Sequence, residues 1–175
     1  MSRDPLARPE KLVRRVYAYA SYRLGDGADA EDATQQAFER ALRYRTSYDP
    51  RKGEPVAWML GIARRCCDEI LQTRPVIANE GIDVADAGDL EPRTVRRLDL
   101  AQALLKLDDR ARELIALRYG ADLTARQIAE LYEERTNTIE VALHRALARL
   151  RAEMDGVTPG EDAVRVRRPP PVLGS

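Results

Sequence analysis

Apolar residues recur every three or four positions along most of this chain, and the breaks between the runs carry Gly, Pro or Asp. That spacing predicts helices with one buried stripe each. From Pro9 the segment EKLVRRVYAYASYRLG places Leu12, Val16, Tyr19, Ala20 and Leu24 on one side, and Gly25 and Gly27 stop it. Asp29 is expected to cap a second helix, with Ala30, Ala33, Ala37, Phe38, Ala41 and Leu42 as its packing face. Asp29, Glu31 and Asp32 in its first turn suit the positive end of the helix dipole. After a loop with Asp49-Pro50 and Gly53, Pro55 suits the first position of a third helix. Its expected core positions are Ala57, Leu60, Ala63, Cys67, Ile70 and Leu71, whereas Trp58, Arg64, Arg65 and Asp68 are harder to bury.

The most informative stretch runs from Asp122 to Arg151. Thr124 with Gln127 forms a capping box, followed by the apolar positions Ile128, Ala129, Leu131 and Tyr132. Polar Glu133, Glu134 and Arg135 interrupt the pattern, with Glu133 where a turn of this kind often has glycine. A second cap is expected at Thr136 or Asn137. Ile139, Ala142, Leu143, Ala146, Leu147 and Leu150 then repeat at helical spacing. Thr138, Glu140, Val141, His144, Arg145, Ala148 and Arg149 are left on the outward side. Two short helices, the second with a free polar face, make the helix-turn-helix layout that reads a major groove; a plain structural hairpin shares the same pattern.

Composition supports an all-α fold. The chain of 175 residues is 44% apolar with nine aromatics, so its cores are mostly Leu, Ile, Val and Ala. No run of alternating β-branched residues appears. Net charge is zero, yet it is unevenly spread. Residues 1–74 hold 14 Lys/Arg against 11 Asp/Glu, residues 75–92 none against five, and residues 93–154 twelve against ten. The expected organisation is two small helical domains, 9–74 and 94–154, joined by an extended acidic linker at 75–93 and followed by a disordered tail at 155–175. Weakly basic blocks neutralise few phosphates, so DNA binding would need a partner.

Other chemistry is thinly represented. Cys66 and Cys67 are adjacent on a helical pattern and have no His or Cys companions at metal spacing, so they read as small buried hydrophobes. No nucleophile–base pair, phosphate loop or metal constellation is visible, so no catalytic residue, metal or cofactor is expected and the protein is not read as an enzyme. No secretory segment or membrane-length apolar run appears, which predicts a soluble, cytoplasmic protein without membrane insertion.

Several motifs stand together in order: Asp29-Ala30-Glu31-Asp32, Gln35, Phe38-Glu39-Arg40-Ala41, Tyr48-Asp49-Pro50, Ala57-Trp58-Met59-Leu60 and Ile62-Ala63-Arg64. They resemble region 2 of bacterial RNA polymerase sigma factors of the extracytoplasmic-function (ECF) class, within the sigma-70 family. Leu107-Asp108-Asp109-Arg110, Leu114-Ile115-Ala116-Leu117-Arg118-Tyr119, Leu123-Thr124, Ile128-Ala129-Glu130, Thr138-Ile139, Leu143, Arg145-Ala146 and Arg149-Leu150 resemble region 4. The resemblance covers about residues 10–74 and 95–152.

What the resemblance implies is a transcription-initiation factor that binds core RNA polymerase, directs it to a promoter and helps melt the duplex. Asp29, Glu31, Asp32, Gln35, Gln36 and Glu39 would meet the clamp helices of the polymerase β′ subunit, with the β flap as a further contact. Tyr44, Tyr48, Trp58, Arg64 and Arg65 would serve the −10 element and strand opening, where extruded bases need stacking surfaces and basic tracks. Trp58 is equally compatible with a core position. Thr138, Glu140, Val141, His144, Arg145 and Arg149 would meet the −35 element. The family often has glutamate where Gln36 stands and asparagine where Arg65 stands. It usually shows Lys or Arg, Ser and Arg where Glu140, Val141 and Ala142 stand. Glutamate accepts from the cytosine N4 donor and valine can meet a thymine methyl, so an unusual −35 preference is expected. Arg145 and Arg149 are expected on phosphates or a guanine. An anti-sigma factor is a further implied partner, and the family places the acidic linker along the polymerase's RNA path. Two other readings compete: a sigma-like decoy that binds an anti-sigma protein without touching DNA, and an autonomous helix-turn-helix repressor.

Overall fold

The computed structural model describes residues 4–74 and 92–156. Seven α-helices carry the described residues: α1 Pro9–Leu24, α2 Ala28–Tyr44, α3 Pro55–Thr73, α4 Pro92–Lys106, α5 Asp109–Ile115, α6 Ala125–Tyr132 and α7 Thr136–Met154. No strand occurs among them. A short 3-10 turn, Arg45–Ser47, follows α2, and α5 runs on into a π-helical turn, Ala116–Gly120. The expected linker overlaps the start of α4 at Pro92; the rest of it, and the tail beyond Gly156, lie outside the described residues.

The first bundle is built on small residues. Ala30, Ala33, Ala37 and Ala41 are completely buried along α2, and their lack of bulk lets α1 and α3 approach the helix closely. Val16, Tyr19 and Ala20 from α1 and Met59, Leu60, Ala63, Cys66 and Cys67 from α3 fill the remaining space. Two expectations are corrected. The N-cap of α2 is Gly27, and Asp29 sits inside the first turn, where its carboxylate takes the Arg74 guanidinium, Nε at 2.9 Å. Leu42 is not core: it is 60% exposed, although the neighbouring Ala41 is completely buried. On α3, Val56, Met59 and Cys66 are buried in addition to the expected set, whereas Ala57, Ile70 and Leu71 are only half-buried.

In the second block α4, α5 and α7 enclose Ala103, Leu104, Leu107, Ala111, Ile115, Ala146 and Leu150. Arg112 is buried here, and no carboxylate among the described residues pairs with it. Its Nε donates to the Leu104 carbonyl at 2.9 Å, and Nη2 donates to the carbonyls of Leu105 at 3.0 Å and Leu107 at 2.8 Å. Leu104 and Leu105 lie in the last turn of α4 and Leu107 just follows it, the negative end of the dipole, so the cation satisfies acceptors a helix terminus leaves free. Burial still pulls the guanidinium pKa down. Asp108 caps α5, accepting from Ala111 N at 2.9 Å.

One apolar cluster runs through both blocks: Leu114, Ala116, Leu117, Ala121, Leu123, Ile128, Ala129 and Ile139 join the core of α1–α3. The junction depends on the π turn. It brings Gly120 so near α1 that an added Cβ would stand 2.9 Å from the Ala18 carbonyl oxygen and 3.0 Å from Tyr19 Cα. Only glycine fits against backbone at that distance.

Candidate nucleic-acid interface and interdomain cleft

The helix-turn-helix stretch folds as its sequence indicates. Thr124 accepts from Gln127 N at 3.2 Å, and Gln127 Oε1 accepts from Thr124 N at 2.9 Å, so both halves of the capping box form. Glu133 occupies the left-handed conformation at the end of α6, with φ 55° and ψ 35°. A non-glycine residue there costs backbone energy. Glu134 N closes the turn by donating to the Ala129 carbonyl at 2.9 Å, and its carboxylate pairs with Arg110. The N-cap of α7 is Arg135, with no side-chain cap, so neither Thr136 nor Asn137 plays that part; both belong to the helix.

Ile139, Leu143, Ala146 and Leu150 are buried, which turns Thr138, Glu140, Val141, His144, Arg145, Ala148 and Arg149 outward. All seven are exposed. Arg149 also pairs with Asp108, whose other oxygen caps α5, so this side chain ties α7 to its neighbour.

On α2, Glu31, Asp32, Gln35 and Glu39 are exposed, and Asp29 and Gln36 are half-buried. Gln35 donates to Glu39 at 2.9 Å across one helical turn. The expected −10 set is split. Tyr48 donates to the Gly53 carbonyl at 3.0 Å and meets the Trp58 ring edge-on, centroids 5.7 Å apart. Trp58 is half-buried against the core and Tyr44 is exposed. Arg65 lies two turns along α3 from Trp58 and shares its face. Arg64 is turned away from that face into the cleft between the two blocks.

That cleft, of about 550 Å³, is lined by Arg23, Arg64, Asp68, Arg110, Glu113 and Tyr132 among others. Its centre is Glu113, only 4% exposed. The carboxylate accepts from Tyr19 Oη at 2.8 and 3.0 Å and from Tyr132 Oη at 2.9 Å. Arg23, equally buried, donates to Asp68 at 2.7 Å and to the Asp109 carbonyl at 3.4 Å. Its Nε lies 2.9 Å from Glu113 but off the line a hydrogen bond needs, so the two meet as charges only. Arg64 Nε is 4.0 Å from Glu113 and 3.9 Å from Asp68. Its guanidinium stands over the Tyr132 ring at 5.1 Å, and Arg110 does the same at 4.3 Å. Burial, then the Glu113 charge, pushes both Tyr19 and Tyr132 well above the usual phenol range.

Arg23 and Glu113 escaped the sequence reading, Arg110 entered it only as part of a motif, and Tyr19 and Tyr132 only as apolar surface. A signal existed for part of it: Tyr19 and Arg23 are one turn apart on a buried stripe, and Glu113 directly precedes the apolar run Leu114-Ile115-Ala116-Leu117. Cys66 and Cys67 are free, buried thiols as expected, and burial pushes Cys67 up to about 12. Among the described residues no group of His, Cys, Asp and Glu is arranged to hold a metal, and no helix is long and apolar enough to cross a membrane.

Two helical units, the second carrying a helix-turn-helix whose last helix has an exposed outer face, define the class. Residues 10–74 match the pattern of sigma-70 region 2 and residues 103–152 that of sigma-70 region 4. The ECF RNA polymerase sigma factor SigK of Mycobacterium ulcerans is 31% identical over 156 residues, covering 81% of this chain and 80% of that protein. The ECF RNA polymerase sigma factor SigW of Bacillus subtilis is 30% identical over 157 residues, covering 80% and 83%. The sigma factor RpoE, solved with the anti-sigma factor NepR from Bartonella quintana, shares the fold with a TM-score of 0.63 at 22% identity, covering 82% of this chain and 92% of that one. CnrH, solved with the cytosolic domain of CnrY, gives 0.60 at 20% identity, covering 87% and 86%. This chain belongs to the ECF sigma factors of the sigma-70 family.

Proposed function

We propose that this sigma factor binds core RNA polymerase through the exposed side of α2, sets α7 into the major groove of the −35 element and opens the −10 element with α3 and the loop before it. The observation that carries the reading is the uninterrupted exposed row Thr138, Glu140, Val141, His144, Arg145 and Arg149 on α7, behind a capped α6 and a tight left-handed turn. Glu31, Asp32, Gln35 and Glu39 offer acceptors to basic residues of the β′ clamp helices. Asp29 joins them only by giving up Arg74.

At the −35 element Glu140 accepts from a cytosine N4 donor, Val141 meets a thymine methyl and Arg145 binds a phosphate or a guanine. Arg149, held by Asp108, contacts the backbone from a fixed position. At the −10 element Trp58, with Tyr48 against its edge, offers a stacking surface, and Arg65 follows the displaced strand. The chain works in the cytoplasm, and an anti-sigma factor controls it, as the complex of RpoE with NepR suggests.

The test is transcription by bacterial core polymerase on a pool of genomic promoter fragments, with and without this protein. Protein-dependent transcripts sharing an upstream motif with cytosine opposite Glu140 are the expected outcome. A typical GAAC-type −35 box would overturn the Glu140 assignment, and failure to bind core polymerase would overturn the polymerase contact.

A further inference from the structure

The turn that aims α7 is held from outside. Glu133 takes the left-handed conformation without being glycine, which costs backbone energy, so the turn gains from external support. Arg110, in the first turn of α5, supplies it. Its guanidinium pairs with Glu134 and stands over the Tyr132 ring at 4.3 Å, the residues on either side of Glu133. The ring is itself pinned, because the Tyr132 hydroxyl donates to Glu113 of α5 at 2.9 Å. Glu134 immediately precedes Arg135, the N-cap of α7. Asp108, two residues before Arg110, holds the second half of α7 through Arg149 while its other oxygen caps α5. The start of α5 therefore grips the chain on both sides of the stretch from Thr138 to Arg145.

We propose that Arg110 is a positioning residue for promoter reading: by fixing Tyr132 and Glu134 it sets the angle at which α7 leaves the turn, and so where Glu140 and Val141 meet the −35 base edges. The proposal rests on the −35 role of α7 put forward above. The buried stripe Ile139, Leu143, Ala146 and Leu150 keeps α7 on the core, but apolar contact is non-directional and lets a helix rock. A planar guanidinium that meets a carboxylate and a ring face at once restricts that motion. The Arg110 and Glu134 side chains are 43% and 34% exposed, so their pairing adds little stability and its consequence is geometric. Base-edge and phosphate contacts differ in what they tolerate. Glu140 needs hydrogen-bond geometry to a cytosine N4, whereas a long arginine follows a phosphate through a small tilt. Loosening α7 therefore removes discrimination between bases and leaves general affinity in place.

The test uses the full chain assembled with bacterial core polymerase and a promoter fragment recovered from the transcription pool. Two versions of the fragment carry cytosine or guanine opposite Glu140, and fluorescence anisotropy reads the affinity for each. Arg110→Ala should lower the cytosine-over-guanine ratio by roughly threefold to tenfold while binding to the guanine fragment stays within about twofold. Glu134→Gln should act in the same direction and less. Arg110→Lys keeps a charge for Glu134 without the planar stack and should recover part of the ratio. Combining Arg110→Ala with Glu134→Gln should lower the ratio no further than Arg110→Ala does, because both remove one strut. A ratio unchanged by Arg110→Ala overturns the proposal, and so does an equal loss on both fragments, which marks a purely structural role. If the unaltered chain shows no cytosine preference, the Glu140 reading fails and takes this proposal with it. A preference that survives Arg110→Ala sinks the proposal alone and leaves that reading standing. Should Arg110→Ala unfold by circular dichroism, Glu134→Gln and Arg110→Lys decide through the same ratio.

Discussion

The outer face of α7 and the interdomain cleft are made of the same kinds of residue, glutamate and arginine on helices, yet they are physical opposites. On α7, Glu140 and Arg145 stand in water. In the cleft, Glu113 and Arg23 are 4% exposed and bound into a network with two tyrosines. The difference lies in what each helix packs against. α7 turns its apolar stripe inward and leaves the rest free, whereas α5 is covered on a second side by α1. A charge in water is available to a partner and contributes little to stability. A charge in the cleft holds the structure and is unavailable until that structure opens.

The largest effect that would sharpen this contrast is at Glu113. Glu113→Ala leaves Arg23 and two tyrosyl hydroxyls buried with reduced partners and should cost about 3–5 kcal/mol, read as a fall in the urea midpoint. A loss no greater than that of a surface change would break the comparison. On the exposed side, Glu140→Arg should leave stability within about 0.5 kcal/mol. It should, however, move the preferred −35 base from cytosine toward guanine by about 1–3 kcal/mol of discrimination, measured by selection of bound promoter fragments.

The tyrosines give a pH test. The Tyr19 and Tyr132 hydroxyls titrate higher in the folded chain than in the unfolded one, through burial and the Glu113 charge. The stability they contribute is complete below about pH 10 and is lost as pH climbs beyond it, at up to about 1.4 kcal/mol per pH unit for each group. Tyr19→Phe with Tyr132→Phe should flatten the alkaline slope of the unfolding midpoint; a slope equal to that of the unaltered chain would show that neither hydroxyl is held as described. The smallest effect is at the turn. Glu133→Gly should stabilise by about 1 kcal/mol, because glycine adopts φ 55° without penalty. A destabilised chain would mean that the Glu133 side chain has a partner of its own.

Much of the fold was legible because helical periodicity is a local property. The buried sets Leu12, Val16, Tyr19, Ala20 and Leu24 on α1, and Ile139, Leu143, Ala146 and Leu150 on α7, follow from spacing alone. The capping box at Thr124 and Gln127 involves residues three apart, and it formed as read. Where local reading erred, the competing influence came from beyond the helix in question. Asp29 stands inside the first turn and pairs with Arg74, 45 residues away, and Leu42 is bare beside a fully buried Ala41. The exposed face of α7 was legible for the same reason as its buried stripe, since one is the complement of the other.

The sequence by itself determined the all-helical class, the order of the two blocks, the position of the helix-turn-helix and its outward residues. Hydrophobic spacing, caps and turn residues act over a few positions, and the chain carries that information directly. Only the tertiary structure decided that Arg64 meets Glu113 and Tyr132 in a cleft, that Gly120 must be glycine, and that Glu113 gathers Tyr19, Arg23 and Tyr132. Those facts depend on α1 meeting the end of α5 across some 94 residues of chain, and no local pattern encodes a pairing at that distance.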